Sequence, residues 1–180
     1  MVIDMMKRYA IYLLIFLAAM FTVDQYREYR QWQEFEAVRK DLIRQEQEQE
    51  KKCIKNALYY EARSEGKEGI LAVASVIENR VNHPDYPSTY CGVIHQHKQF
   101  SYTLEGKPDV ESVAWRLKAA DKQAYGYVSE VSDKMLNGGF KPVLDSNVLH
   151  YAKYSVRNYW TKTKAVATRI GKHIFYKEKK

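Results

Sequence analysis

Fifteen consecutive residues without a charge, Tyr9 to Val23, follow Lys7 and Arg8 and stop at Asp24. As a helix this run reaches about 22 Å, near the short end of what crosses a bilayer. A secretory signal peptide has a similar apolar length. However, no good small-x-small cleavage pattern lies beyond Leu17, Ala18-Ala19-Met20 being a poor one, so the run is read as an uncleaved signal anchor. Basic residues ahead of the run hold the N-terminus on the cytoplasmic side and send the rest of the chain across. The expected location is the inner membrane, as a single pass with the remaining residues in the periplasm.

From Asp24 to Lys52 there is neither Gly nor Pro, and Glu, Gln, Arg and Lys dominate, which predicts one long solvated helix. Tyr26, Tyr29, Trp32, Phe35, Val38 and Leu42 recur every three or four residues along it, as one apolar stripe. Gln45 and Gln49 interrupt a heptad, so packing on the following domain or on the membrane surface is expected rather than a coiled coil. The predicted organisation is a cytoplasmic tip and transmembrane anchor over 1–23, a helical stalk over 24–52, and one functional domain over 53–180.

The formal charge of +7 is uneven, because the last 30 residues carry nine Lys or Arg against the single acid Glu178. That excess suits an anionic polymer or membrane surface as partner. The exported topology, and the absence of a basic aromatic strand or recognition helix, argue against nucleic acid. Cys53 and Cys91 both lie beyond the anchor, where an oxidising compartment favours a disulfide. Cys91, His95 and His97 are also closely spaced, so zinc is the competing reading, although no fourth ligand stands at a recognisable distance.

Residues 51–66 predict a helix with Ile54, Ala57, Leu58 and Ala62 on one face, stopping at Gly66. Glu61 then falls near the end of a half-buried helix between aromatic neighbours. Burial there raises a carboxyl pKa, as a general acid at neutral pH requires. Glu65 follows four residues later on the same side. A second helix, rich in Ala and Val, should end before Pro84, leaving Asn79 and Arg80 as polar groups that need partners beside the core. Residues 147–154 and 172–177, rich in β-branched and aromatic side chains near Gly171, predict strands of a small sheet.

Several motifs in this order resemble the cell-wall hydrolases of the SleB and CwlJ type. They are Tyr-Tyr-Glu-Ala-Arg-Ser-Glu-Gly at 59–66, Ala-Val-Ala-Ser-Val-Ile-Glu-Asn-Arg-Val at 72–81, Cys-Gly-Val-Ile at 91–94 and Gln-Phe-Ser at 99–101. Leu-His-Tyr at 149–151, Trp160 and Arg-Ile-Gly-Lys-His-Ile-Phe-Tyr at 169–176 complete the set. The chain departs at Ile70, where many relatives carry Gln. The resemblance implies an α+β fold, a mainly helical lysozyme-like domain with a small β-sheet. It also implies a disulfide between Cys53 and Cys91, and Glu61 as the catalytic acid.

The activity implied is cleavage of peptidoglycan glycan strands between N-acetylmuramic acid and N-acetylglucosamine. Glycosidases usually divide the work between two carboxylates. No convincing second one is present, so lytic transglycosylation with Glu61 as acid and then base is preferred to hydrolysis by a muramidase or glucosaminidase. A non-catalytic wall-binding protein is the alternative from another class. Arg63, Glu65, Gln99, Ser101 and Tyr151 are candidates to bind sugar hydroxyls or N-acetyl groups, and Phe100 and Trp160 to stack on pyranose faces. Protonation and internal attack need no cofactor. The biological setting is a phage signal-anchor endolysin or a bacterial wall-remodelling enzyme.

Overall fold

Nothing between Val2 and Ala62 breaks a helix, and the computed structural model shows one continuous α-helix, α1, over Val2–Ala62. The structure describes residues 2–97, 99–157 and 159–178. The chain divides into two units, residues 1–46 and 47–180. The first is helix alone, and it contains a stretch of mean hydropathy 1.5 that is long and apolar enough to cross a membrane. Its aromatic side chains Tyr26, Tyr29, Trp32 and Phe35 are exposed. Four successive steps of three residues each turn back about 60° on a helix of 3.6 residues per turn. The stripe from Tyr26 to Val38 therefore winds round the helix instead of keeping to one face.

The second unit opens with the last turns of α1, where Cys53, Ile54, Ala57, Leu58, Tyr59 and Ala62 are buried at helical spacing. Gly66, at φ 69°, takes the left-handed conformation that lets the chain turn into α2, Gly66–Val81. Helix α2 is the centre of the domain, with Ile70, Val73, Val76 and Ile77 at 2 % exposure or less. Short helices α3 (Tyr90–Ile94), α4 (Ser101–Leu104) and α5 (Val110–Val113) follow, with a 3-10 turn at Ala114–Arg116. Helix α6 (Ala119–Leu136) closes the helical layer, and α2 packs on α3, α6 and the sheet.

The sheet has three strands, β1 (Val148–Lys153), β2 (Ala165–Ile170) and β3 (His173–Lys177), with α7 (Tyr159–Thr163) between the first two. Strand β3 lies in the middle and pairs antiparallel with both neighbours. The polar end of α2 fastens this sheet to the helices. The Asn79 amide donates to the carbonyls of Asp145 and Val148 at 2.7 and 3.1 Å, and Arg80 Nε to that of Leu149 at 2.7 Å. Both side chains are buried, and these bonds answer the need for partners at Asn79 and at Arg80 Nε, while Arg80 Nη1 is buried without a hydrogen-bond partner among the described residues.

Cys53 and Cys91 are joined in a disulfide that ties the last turns of α1 to α3. Both sulfurs are thereby spent, and His95 Nδ1 lies 2.9 Å from the Cys91 carbonyl, so neither cysteine offers a thiolate to a metal. Glu50 reinforces the link by accepting from the backbone N–H of Tyr90, at 2.7 Å, and of Cys91. Closing a loop of this length stabilises the folded domain by about 3 to 4 kcal/mol on the chain-entropy treatment. Urea unfolding of the full chain in detergent, with and without reductant, should show the midpoint fall on reduction and the slope steepen, because the unfolded chain is no longer cross-linked. An unchanged midpoint would show that the bond contributes nothing.

Candidate active site

Glu61 stands in the last turn of α1, where the helix has run out of its own hydrogen-bond partners and its side chain reaches a neighbouring element. That element is the start of α4. The preceding residue, Phe100, is extended and gives α4 no side-chain cap. Glu61 supplies one from outside: its Oε1 accepts from the Ser101 N–H at 3.0 Å and from Ser101 Oγ at 3.2 Å. Orphan N–H groups at a helix start favour an anion.

These hydrogen bonds, a further one from the Tyr102 backbone and the charge of Lys153 all favour the carboxylate. Burial works against it and is the largest effect, so the Glu61 carboxyl is held above its ordinary value. The surroundings explain the burial. Tyr102 is buried under Tyr60, their rings stacked at 5.3 Å, and Tyr60 donates to the Pro108 carbonyl at 2.6 Å. Burial, with the nearby Glu61 charge, pushes up the phenols of both Tyr102 and Tyr151.

Tyr151 forms the sheet side of the site. Its ring packs on Phe100, His173 and Phe175, at centroid distances of 6.5, 5.3 and 5.8 Å. The Tyr151 hydroxyl and His173 Nδ1 are buried without a hydrogen-bond partner among the described residues. An unpaired buried hydroxyl costs about 1 to 3 kcal/mol, which a water or a substrate group can recover.

The register separates two of the predicted contacts. Tyr151 lies opposite Phe175, so the two share one face of the sheet, while His150 lies opposite Tyr176 on the other. Trp160 packs on His150 and Tyr176, so it covers the face turned away from Tyr151. Phe100 has no exposed surface and serves as core; its ring has no face left for a sugar. Gln99 and Ser101 are both exposed, and Ser101 is in contact with Glu61.

Glu65 and Arg63 point to other tasks. Glu65 Oε2 accepts from the Lys172 N–H at 2.7 Å, clamping the β2–β3 turn to the α1–α2 turn. Its carboxyl is lowered despite burial, chiefly by that bond, with Ser64, His173 and Lys172 adding to it. Arg63 is exposed, spreads over the Tyr59 ring at 4.9 Å and pairs with Asp121 at 3.5 Å. Lys153, which acts on both Glu61 and His173, was missed by the motif reading. Its signal is the two-residue period of β1, which puts Lys153 on the same face as Tyr151.

A half-buried carboxyl that caps a short helix, with an aromatic wall beside it, is accompanied by a match of residues 64–176 to the cell wall hydrolase family. The chain belongs to this family. The matched span begins just past Glu61. Among curated relatives, the spore cortex-lytic enzyme of Oceanobacillus iheyensis is 34% identical over 123 residues, covering 68% of this chain and 39% of that protein. The spore cortex-lytic enzyme of Bacillus subtilis is 29% identical over 127 residues, covering 69% and 36%. The chain thus spans about two fifths of the length of these relatives.

Among solved structures, the catalytic domain of the germination-specific lytic transglycosylase SleB from Bacillus anthracis superposes with a TM-score of 0.53. It is 29% identical, and the match covers 71% of this chain and 93% of that one. The SleB catalytic domain of Bacillus cereus gives the same score and identity, covering 71% and 89%.

The Glu65 clamp generates a test. Gly171 has φ 56°, and a Cβ there would overlap Glu65 Oε2. Gly171→Ala should lower stability by about 1 to 2 kcal/mol from the left-handed conformation alone, and more from that overlap. Thermal unfolding followed by circular dichroism checks this; an unchanged midpoint would mean the turn does not depend on the clamp.

Proposed function

We propose that residues 47–180 cleave the glycan strands of peptidoglycan between N-acetylmuramic acid and N-acetylglucosamine, by lytic transglycosylation with Glu61 as acid and then base. The observation that carries this reading is the half-buried Glu61 beside an aromatic wall, its carboxyl raised above its ordinary value by burial. The similarity to a lytic transglycosylase catalytic domain supports it. Glu61 gives its proton to the glycosidic oxygen as that bond breaks. The resulting carboxylate then takes the proton of the muramic acid C6 hydroxyl, whose oxygen attacks C1 and closes a 1,6-anhydro ring. No water is consumed, so no second carboxylate has to position one. Glu65, which would be the nearest candidate, is engaged with the β2–β3 turn.

Ser101, and Lys153 across from it, steady the carboxylate formed midway, and the orphan Tyr151 hydroxyl is a partner for an N-acetyl or sugar hydroxyl group. The N-terminal apolar run anchors the enzyme in the inner membrane with this domain in the periplasm. A short, uncharged run containing alanine favours an anchor that can be released, as in a signal-anchor endolysin, over permanent residence.

Purified Gram-negative sacculi digested with the full chain in detergent should release anhydromuropeptides detectable by mass spectrometry. Glu61→Gln should reduce the rate by about 100-fold to 10,000-fold, the usual worth of a general acid. The acid form is required first, so the rate should fall as pH rises through the raised Glu61 pKa. Products with reducing ends would replace transglycosylation by hydrolysis, and no release by either protein would remove the enzymatic reading.

A further inference from the structure

On the side of the α1–α2 turn where Arg63 lies, a pocket of about 210 Å³ opens between the start of α2 and α6. That is roughly seven water volumes, enough for a small alkyl group and a carboxylate. Its floor is apolar, formed by Ile70, which is buried, and by Ala124. Two cations, Arg63 and Lys67, stand at its rim, with the Gln123 amide beside them. A Cβ at Gly66 would meet nothing within 4 Å, so the mouth is open there.

The charges at this rim are only partly met. Arg63 meets Asp121 through Nε at 3.5 Å, which leaves its two terminal amino groups for another acceptor. Lys67 lies over the Tyr127 ring, 5.0 Å from its centroid, and among the described residues no carboxylate is within ion-pair distance of it. Glu130, whose charge acts on Lys67, is itself held by Lys134 at 2.6 Å. A cation parked on an aromatic face beside an apolar floor is a receptor for a group with a small alkyl part and a negative end.

We propose that this pocket is a subsite for the carboxylate-ended stem peptide of the glycan strand, with a peptide methyl on Ile70 and Ala124 and the carboxylate between Lys67 and Arg63. The choice of ligand rests on the peptidoglycan reading above. The pocket shares the α1–α2 turn with the acid, since Arg63 is two residues past Glu61. A strand that carries its peptides would then be held at a second point beside the bond being cut, whereas a strand stripped of peptides would be held by its sugars alone.

The test is binding, which needs no turnover. The free tetrapeptide carried by muramic acid, and the same peptide amidated at its C-terminus, are titrated calorimetrically into the full chain in detergent micelles. Wild type and Glu61→Gln should bind the free peptide once per chain. The amidated peptide, and Lys67→Glu with the free peptide, should each bind at least tenfold more weakly, and Ala124→Trp, which fills the floor, should abolish binding. Circular dichroism melting establishes that each variant is folded. Absence of saturable binding, or equal binding by folded Lys67→Glu, overturns the subsite. Peptide binding without cleavage of sacculi would keep the pocket and sink the glycosidase; cleavage without peptide binding would do the reverse.

Discussion

The hydrogen bonds between Glu61 and the first residue of α4 are the contact on which the site depends. They join the end of a long helix to a helix too short to hold itself: four residues provide almost no internal hydrogen bonding, so α4 stays formed because something outside caps it. The cap is the acid. The same contact fixes the carboxyl in one place beside Tyr102 and Tyr151, where loss of water outweighs the donors and raises its proton affinity. Position and proton affinity therefore have one origin.

The surrounding framework keeps that contact in place from three sides. The disulfide and Glu50 hold α3 against α1, upstream of α4. Lys55, which is buried, reaches Glu111 at 2.5 Å, and Asn56 accepts from the Val110 N–H at 2.9 Å, so α5 is fastened to the same helix downstream. From the sheet, Asn79 and Arg80 grip the entry to β1 while Glu65 grips the β2–β3 turn. Polar groups buried at these junctions cost stability unless paired, and the bonds they make set where the aromatic wall stands relative to Glu61. The Lys55 ammonium shows how this works: burial lowers its pKa, yet Glu111 and Tyr125 more than offset it and the result is a raised value.

Much of this was legible in the residues, and the remainder has a physical reason. The helical spacing of Ile54, Ala57, Leu58 and Ala62 gave the buried face, and Gly66 gave the turn after Glu61. The edge strand β1 and the central strand β3 stood out through β-branched and aromatic residues, but the other edge strand β2, with Val166 and Arg169 exposed, has no apolar alternation to betray it. Helix α6 was missed for a similar cause, since only Val128, Val131, Ser132 and Met135 of its residues are buried. The motifs named Glu61 and Ser101, which the structure brings into contact, and also Phe100 and Trp160, which it places in the core and on the other face of the sheet. Motif order says that residues are near one another in sequence; which face of a strand they take depends on register, and the irregularity in β1 between Val148 and His150 cannot be read from the chain.

The measurement closest to the centre of this account is the titration of the Glu61 carboxyl itself. Carbon-13 spectra of the full chain labelled at glutamate, with Glu61→Gln to assign the resonance, give its midpoint directly. A midpoint above the ordinary 4.5 is the predicted result, because burial outweighs the Ser101, Tyr102 and Lys153 contributions. A midpoint at or below 4.5 would mean the helix cap wins, leaving a carboxylate with no proton to give near neutral pH, and would contradict the acid role.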